Sequence, residues 1–233
     1  MIIHRRQLID GARAARHTAV IIDVFRAYTC SSFLLHFGVG RLILEEDPVR
    51  ALDLKRKHGW MALGEVDGVT VEGFDLGNSP SDIVAAGREL FDGKTVVQRT
   101  SAGVRGAFAA AERCETVYVG AYTTAAALAR VIRAQDPPEA HLVAMGWNAA
   151  QPVPEDECCA DYLHSLLDPS RPYDHMEALS EILNHESAQK FLRGDKPHFP
   201  STDVTWCLQR NIFPWAVWVV RTDFGLELEK VRP

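Results

Sequence analysis

Val20-Ile-Ile-Asp-Val-Phe-Arg-Ala-Tyr-Thr-Cys-Ser-Ser-Phe-Leu-Leu35 is the stretch on which the reading of the fold turns. It opens on an apolar run that is too short for a helix and lacks the polar alternation of a half-exposed strand. That is the pattern of a strand buried on both faces. Asp23 closes the run, small hydroxyl residues follow, and an apolar stretch of helical character begins at Ser32. The same plan of apolar strand, small hydroxyl- or glycine-containing turn and apolar helix returns at Thr95–Ala111 and at Thr116–Ile132. The general likeness of all α/β units accounts for this echo; an internal duplication is the alternative. On either reading the turns fall at the carboxyl ends of strands, where α/β folds place ligands.

Working outward, further short apolar runs read as buried parallel strands: Ala19–Asp23, Met61–Gly64, Thr95–Gln98, Thr116–Val119, His141–Met145 and Trp215–Val220. Ser32–Phe37, Pro48–His58, Val104–Arg113, Thr124–Ala134 and Glu157–Leu167 read as helices. Alternation of this kind predicts an α/β fold, a three-layer α/β/α arrangement around a mainly parallel or mixed sheet. One domain over 1–233 is expected, with two α/β subdomains divided near 90–95 as the alternative. Residues 168–200 carry Pro169, Pro172, Pro197 and Pro200 among polar residues and read as an excursion, with one helix within Ser180–Phe191.

Composition limits the function classes. The 233 residues are 47% hydrophobic, enough for a sizeable core. The formal net charge is −6 and no Lys or Arg run interrupts it, which argues against broad nucleic-acid binding. No apolar stretch approaches the ~18 residues that span a bilayer. Met1–Arg16 has no apolar segment of the secretory type. The five cysteines are odd in number and irregular in spacing, which points to reduced thiols and a cytoplasmic setting. With no CxxC pair, a structural zinc site is not expected. His36, His58 and His141 fall inside predicted elements, and none of the histidines forms a metal-binding spacing, so none is selected. A homodimer is the base-rate expectation for a soluble oligomer.

Five segments carry candidate chemistry. In Asp23-Val-Phe-Arg26, a strand-end carboxylate suits a hard cation and an Arg three residues on suits phosphate; a helix cap with a surface ion pair is the plainer reading. Gly64-Glu65-Val-Asp67-Gly68 is a second strand-end acid, otherwise an acidic turn. Glu72-Gly-Phe-Asp75-Leu-Gly77-Asn78-Ser79-Pro80 is too rich for a generic loop; Asn78 and Ser79 can donate to phosphate, Asp75 can take metal, and Pro80 suits a helix start. Gln98-Arg99-Thr-Ser101-Ala-Gly103-Val-Arg105 reads as a cradle of backbone N–H groups for an anion, with two arginines beside it. Glu155-Asp156-Glu157 opens a helix; complementing the helix dipole is the plainer role, completing an oxygen-only magnesium site the functional one.

In this order, "IDVFRA", "GE", "EGFDLGNSP", "RTSAG" and "EDECCADYL" resemble the signature blocks of the 2-phosphosulfolactate phosphatase family, and "FPSTDVTWCLQRN" resembles its C-terminal block. The resemblance covers Thr18 to Leu163 and then the C-terminal segment, with "GFDLGNSP" the most specific match. It implies an α/β fold, magnesium dependence and hydrolysis of a small anionic phosphomonoester. The implied substrate is (R)-2-phospho-3-sulfolactate, yielding 3-sulfolactate and phosphate in a coenzyme M pathway. On this reading Asp23, Glu65, Asp75, Glu155 and Asp156 supply the magnesium ligands. Asp23, Arg26, Glu65 and Ser101 are catalytic. Arg26, Asn78, Ser79, Ser101 and Gly103 contact the substrate, and Arg99 or Arg105 holds its second anion. Asp23 is either base or nucleophile. Two positions depart from the family pattern: Val66 stands where a Gly-Glu-Arg turn has its Arg, and Ala102 where a Thr-Asn-Gly turn has its Asn. Both lie where substrate would be held. The alternatives are a phosphatase for another small phosphoester and a non-catalytic metabolite-binding family member.

Overall fold

Ala19, Val20, Ile21 and Ile22 are all 0% exposed, so the strand they form is covered on both faces, as its apolar run requires. In the computed structural model, which describes residues 1–233, this strand is β2 (His17–Ile22). Its successive side chains leave in opposite directions. Ala19 and Ile21 enter one core cluster, Val20 and Ile22 another. Two cores on the two faces of one sheet make the three layers expected from the sequence.

The chain begins with β1 (Ile2–Gln7) and α1 (Leu8–Ala14), then β2, α2 (Ala27–His36), β3 (Arg41–Leu44) and α3 (Pro48–His58). There follow β4 (Met61–Val66), β5 (Val69–Thr70), α4 (Pro80–Phe91), β6 (Thr95–Arg99), α5 (Gly103–Ala111) and β7 (Cys114–Gly120). A short 3-10 turn, Tyr122–Thr124, leads into α6 (Ala125–Gln135), β8 (Glu139–Ala144) and α7 (Pro154–Leu167). The chain closes with α8 (His175–Asn184), α9 (Glu186–Leu192), α10 (Thr202–Cys207), β9 (Ala216–Thr222) and β10 (Gly225–Val231). No helix is long and apolar enough to cross a membrane.

Local chemistry explains the helix starts. Asp47 caps α3 by accepting from Val49 N at 2.9 Å, with Pro48 in the first turn. Ser79 caps α4 by accepting from Asp82 N at 3.3 Å, and Pro80 takes the first-turn position the sequence suggested.

The ten strands form one sheet in the order β1-β8-β2-β7-β9-β10-β3-β6-β4-β5. β1, β8, β2 and β7 are mutually parallel, and so are β3, β6 and β4. Between these blocks, β9 and β10 run antiparallel to each other and to their flanking strands. The sheet is therefore mixed, and Trp215–Val220, predicted as a parallel strand, belongs to an antiparallel one. Only Asp223 and Phe224 separate β9 from β10. A link that short makes a hairpin, whereas a parallel connection needs a crossover of about a dozen residues or more.

The central hairpin makes the two parallel blocks run in opposite directions, yet the ends of β2 and β6 meet. Five steps separate β2 from β6 in the sheet, and a twist of roughly 20–25° per step accumulates to on the order of 100°. The ends are in contact: Gly103 N at the start of α5 donates to Asp23 Oδ2 at 2.8 Å. The crossovers through α2 and α5 carry the chain from the first block to the second and back.

Some elements escaped the sequence reading. β1 is polar in composition, β3 is four residues long, and β10 alternates Leu with Glu. The 168–200 excursion holds two helices where one was expected. They break at His185, whose Nδ1 accepts from Ser187 N at 3.1 Å and caps α9.

Candidate active site

Asp23 follows β2 directly and is 6% exposed. Its Oδ1 accepts from Ala27 N at 3.1 Å and its Oδ2 from Gly103 N at 2.8 Å. Glu65, near the end of β4, accepts from Ser101 N at 2.7 Å through Oε1, and from Gly68 N at 2.6 Å and Ser101 Oγ at 3.1 Å through Oε2. The N–H cradle read at Ser101–Gly103 therefore exists, but the groups that occupy it are the protein's own carboxylates. A helix start attracts any nearby anion; parallel pairing of β4 with β6 puts Glu65 beside it, and Asp23 reaches it from the end of β2. In this structure the amides of Ser101 and Gly103 fix two carboxylates.

Burial pushes the Asp23 carboxyl up to about 6, with the nearby charge of Glu65 adding to it and the bonds from Ala27 and Gly103 opposing it. Behind it, Asp156 at the start of α7 accepts from Val24 N at 2.7 Å and Gly146 N at 2.8 Å. It thereby ties the end of β2 to the end of β8. Burial, then the charges of Asp23 and Glu155, hold the Asp156 carboxyl well above the usual range. Glu155 accepts from Ser187 Oγ at 2.6 Å, and burial pushes it up to about 7. Neither Glu155 nor Asp156 lines the cavity in front of Asp23.

That cavity measures about 30 Å³. Asp23, Arg26, Glu65, Asn78, Thr100 and Ser101 supply its polar lining, with Ala102 between them, and Trp147, Phe191 and Phe199 its aromatic lining. The cavity is narrow and only partly enclosed, and the three rings are part of its lining. Two of the three rings come from the 168–200 excursion. Gly68 sits at φ +82 beneath Phe199, where a Cβ would come within 2.5 Å of the ring; only glycine lets the wall close here.

Arg26 is 5% exposed. Its Nη1 donates to Asp203 Oδ2 at 2.8 Å and to His198 O at 2.9 Å, and its Nη2 to Gly68 O at 3.3 Å. Phe191 and Phe199 stand 5.2 and 5.5 Å from the guanidinium carbon. Asp203 in turn accepts from Ser79 Oγ at 2.7 Å and Ser81 N at 3.0 Å. Ser79, expected at the substrate, instead anchors Asp203 and caps α4.

Three other expected residues lie outside the cavity lining. Asp75, expected as a metal ligand, is bound by Lys55 Nζ at 2.7 Å and by Ala62 N at 2.8 Å and clamps α3 to β4. Arg99 donates to Glu46 O, to Glu65 O and to Ser101 Oγ, which spends its guanidinium on the turns around Glu65. Arg105 is exposed and donates to Asn148 O at 3.3 Å. Neither arginine is placed to hold a second anion in the cavity.

The donor chemistry in the cavity fits a hard divalent cation. Asp23 and Glu65 offer carboxylate oxygens with acceptor capacity remaining. Asn78 Oδ1 is buried with no hydrogen-bond partner, a cost that a cation or a donor from substrate would remove. A separate group, His4, Glu139 and His141, also brings ligand atoms within 4.8 Å of one another, at the β1 edge of the sheet. There Arg6 Nε donates to His141 Nδ1 at 3.3 Å, and the Nε2 atoms of His4 and His141 lie 2.9 and 3.3 Å from Glu139 Oε2 without making a well-formed hydrogen bond.

With this geometry in place, sequence comparison is decisive. The profile of the 2-phosphosulpholactate phosphatase family matches residues 3–221. The chain belongs to the 2-phosphosulpholactate phosphatase family. It is 29% identical over 193 residues to a probable 2-phosphosulfolactate phosphatase of Bacillus subtilis, covering 81% of this chain and 80% of the relative. A protein of the same description from Caldicellulosiruptor saccharolyticus is 31% identical over 193 residues, covering 81% and 77%. One from Deinococcus radiodurans is 36% identical over 113 residues, covering 48% and 46%.

Membership places this chain among phosphatases, the enzyme class its motifs implied. For a member of the family, the two departures from pattern differ in position. Val66 is 39% exposed and outside the cavity lining, while Ala102 stands in the wall. The C-terminal block supplies Phe199 to the wall and Asp203 to Arg26. Sequence reasoning assigned no role to Asp203, Trp147, Phe191 or Phe199. An Asp within a block of family resemblance was the one available signal.

Proposed function

We propose that this phosphatase hydrolyses a small phosphomonoester that carries a second anionic group, with (R)-2-phospho-3-sulfolactate the first candidate and magnesium as cofactor. The observation that supports this reading most is the convergence of Asp23, Arg26, Glu65, Asn78 and Ser101, from four separate turns, on one cavity. Glu65, held rigid by three donors, and Asn78 Oδ1 would hold magnesium. Such an ion takes one or two protein ligands and completes its shell with water and phosphate oxygens. When bound, it supplies Lewis acidity that draws charge off the phosphoryl oxygens.

The chain's own residues do the rest. Arg26, aligned by Asp203 and flanked by two rings, pairs with phosphoryl oxygens. Asp23, with its carboxyl near 6, takes a proton from the attacking water. The water oxygen bonds to phosphorus, the P–O ester bond breaks, and the ester oxygen keeps the electron pair and takes a proton from solvent, while Asp23 releases its own to solvent. Closure by Trp147, Phe191 and Phe199 excludes bulk water.

The test is phosphate release from a panel of small esters, including 2-phosphosulfolactate and phospholactate, with magnesium and with chelator. Magnesium-dependent release strongest on 2-phosphosulfolactate is expected. Preference for another ester would keep the class and move the substrate, with Ala102 the first position to exchange. No release from any ester by a protein that binds magnesium would sink the enzymatic reading in favour of a binding protein.

A further inference from the structure

A substrate with a second anion needs a second cation, and the two arginines expected to supply it are spent elsewhere. Lys190 on α9 is placed differently. Its Nζ lies 3.6 Å from the Trp147 ring centroid and 5.0 and 5.4 Å from those of Phe199 and Phe191. These are the three rings that close the cavity. No protein acceptor bonds this ammonium. The carboxylates that face it are otherwise engaged: Glu155 accepts from Ser187, Glu186 is bound by both terminal nitrogens of Arg193, and Asp23 and Glu65 are held by backbone amides.

A groove of about 300 Å³, lined by Gln151, Val153, His185, Ser187 and Lys190, runs outside the cavity, and Trp147 is the wall common to both. Burial drives the Lys190 ammonium down to about 8. A cation held against aromatic faces, with nearby carboxylates such as Glu155 but none bonded to it, bears a desolvation cost; cation–π attraction offsets roughly 0.5–2 kcal/mol of such a cost. An arriving anion removes the rest.

We propose that Lys190 recognises the second anionic group of the substrate, a sulfonate or carboxylate, in the outer groove while the phosphoryl group occupies the inner cavity. The assignment rests on the cavity being the phosphoryl site. Because Lys190 belongs to α9, substrate that touches it also ties the excursion to the core and holds the aromatic wall shut. Lys190 is a specificity-determining residue in this scheme.

The test uses the full-length protein with Lys190→Met, which keeps the apolar stem, and Lys190→Arg, which keeps the charge. Steady-state kinetics are compared on 2-phosphosulfolactate and on ethyl phosphate, which has no second anion. Binding of 3-sulfolactate is measured by calorimetry. Expected for Lys190→Met is a KM increase of roughly 10- to 100-fold on 2-phosphosulfolactate, kcat within about threefold, a much smaller KM change on ethyl phosphate, and substantial recovery in Lys190→Arg. Equal losses on both esters would reduce Lys190 to a structural latch and overturn the proposal. So would an unchanged KM on the sulfonated ester. If the wild type hydrolyses neither ester, the phosphatase reading fails first, and calorimetry decides Lys190 alone. A wild-type affinity for 3-sulfolactate that Lys190→Met loses supports the proposal. Equal binding by both, or binding by neither, overturns it.

Discussion

Arg26 Nη1 and Asp203 Oδ2 lie 2.8 Å apart across 177 residues of sequence, with side chains 4% and 1% exposed. The pair joins the turn after β2 to the C-terminal segment and fixes the guanidinium at the cavity. Removing one partner strands the other without solvent. Asp203→Ala is therefore expected to lose roughly 3–5 kcal/mol of stability, a fall in the thermal midpoint on the order of 10 °C. Replacing both, as Arg26→Met with Asp203→Leu, should recover most of that loss without recovering turnover. Thermal melts beside phosphate-release assays check both halves; a double variant as unstable as Asp203→Ala would contradict the ion-pair account.

Asp23 and Glu65 divide the chemistry in the proposed mechanism, so their neutral variants should differ in kind. Asp23→Asn is expected to lower kcat by about 100-fold or more, leaving magnesium affinity within a few-fold. Glu65→Gln is expected to raise the magnesium concentration needed for half-maximal rate. It also loses charge on the acceptor of two backbone amides. Magnesium titrations of both variants separate the roles. Undiminished turnover in folded Asp23→Asn would remove Asp23 from the reaction.

Folding raises the pKa of Asp23 from 3.8 to about 6 and of Glu155 from 4.5 to about 7. Between about pH 4 and 7 the folded state thus binds more protons at these groups than the unfolded chain, and their contribution to stability falls as pH rises through that window. Buried histidines such as His141, whose pKa is lowered, act in the opposite direction, so the comparison is made against a variant. In chelator, Asp23→Asn should gain several degrees in thermal midpoint relative to wild type at pH 8 and little at pH 4. A constant difference across that range would mean that Asp23 is fully ionised throughout.

Asp75 lies in the segment with the most specific family resemblance, yet its partners are Lys55 and the Ala62 amide. Asp75→Asn should cost about 0.5–1.5 kcal/mol and leave the magnesium dependence of turnover unaltered. A shifted magnesium requirement would return Asp75 to the metal site.

Gly68 underlies Phe199 at a positive φ. Gly68→Ala is expected to destabilise by about 1–3 kcal/mol and to raise KM more than it lowers kcat, because the aromatic wall no longer seats. Kinetics with tryptophan fluorescence, reporting on Trp147 beside the cavity among other indoles, measure this. Unchanged kinetics would show that closure does not depend on this contact.

Much of the architecture was legible because it rests on local chemistry. The apolar run ending at Asp23 has to be a covered strand, since Val20, Ile21 and Ile22 on adjacent positions leave no face for water. Ser79-Pro80 starts a helix for reasons contained in those two residues. What escaped was what neighbours decide. β10 places Glu227 at 5% exposure only because Arg41 and Thr222 reach it, so its Leu-Glu alternation understated its burial. β9 was recognised as a strand, but its direction follows from a hairpin whose partner was unread.

The site divides in the same way. Which residues stand at strand ends, and which turn offers N–H groups to an anion, could be read along the chain, because both follow from periodicity and from residues adjacent in it. Only the tertiary structure decided which anions fill that turn, that Asp75 faces Lys55, that Arg26 is held by Asp203, and that Lys190 stands over Trp147 with no acceptor. Those pairings depend on how far the sheet twists and where the 168–200 excursion folds back. Both are sums of many small packing terms over distant segments, and no local pattern carries them.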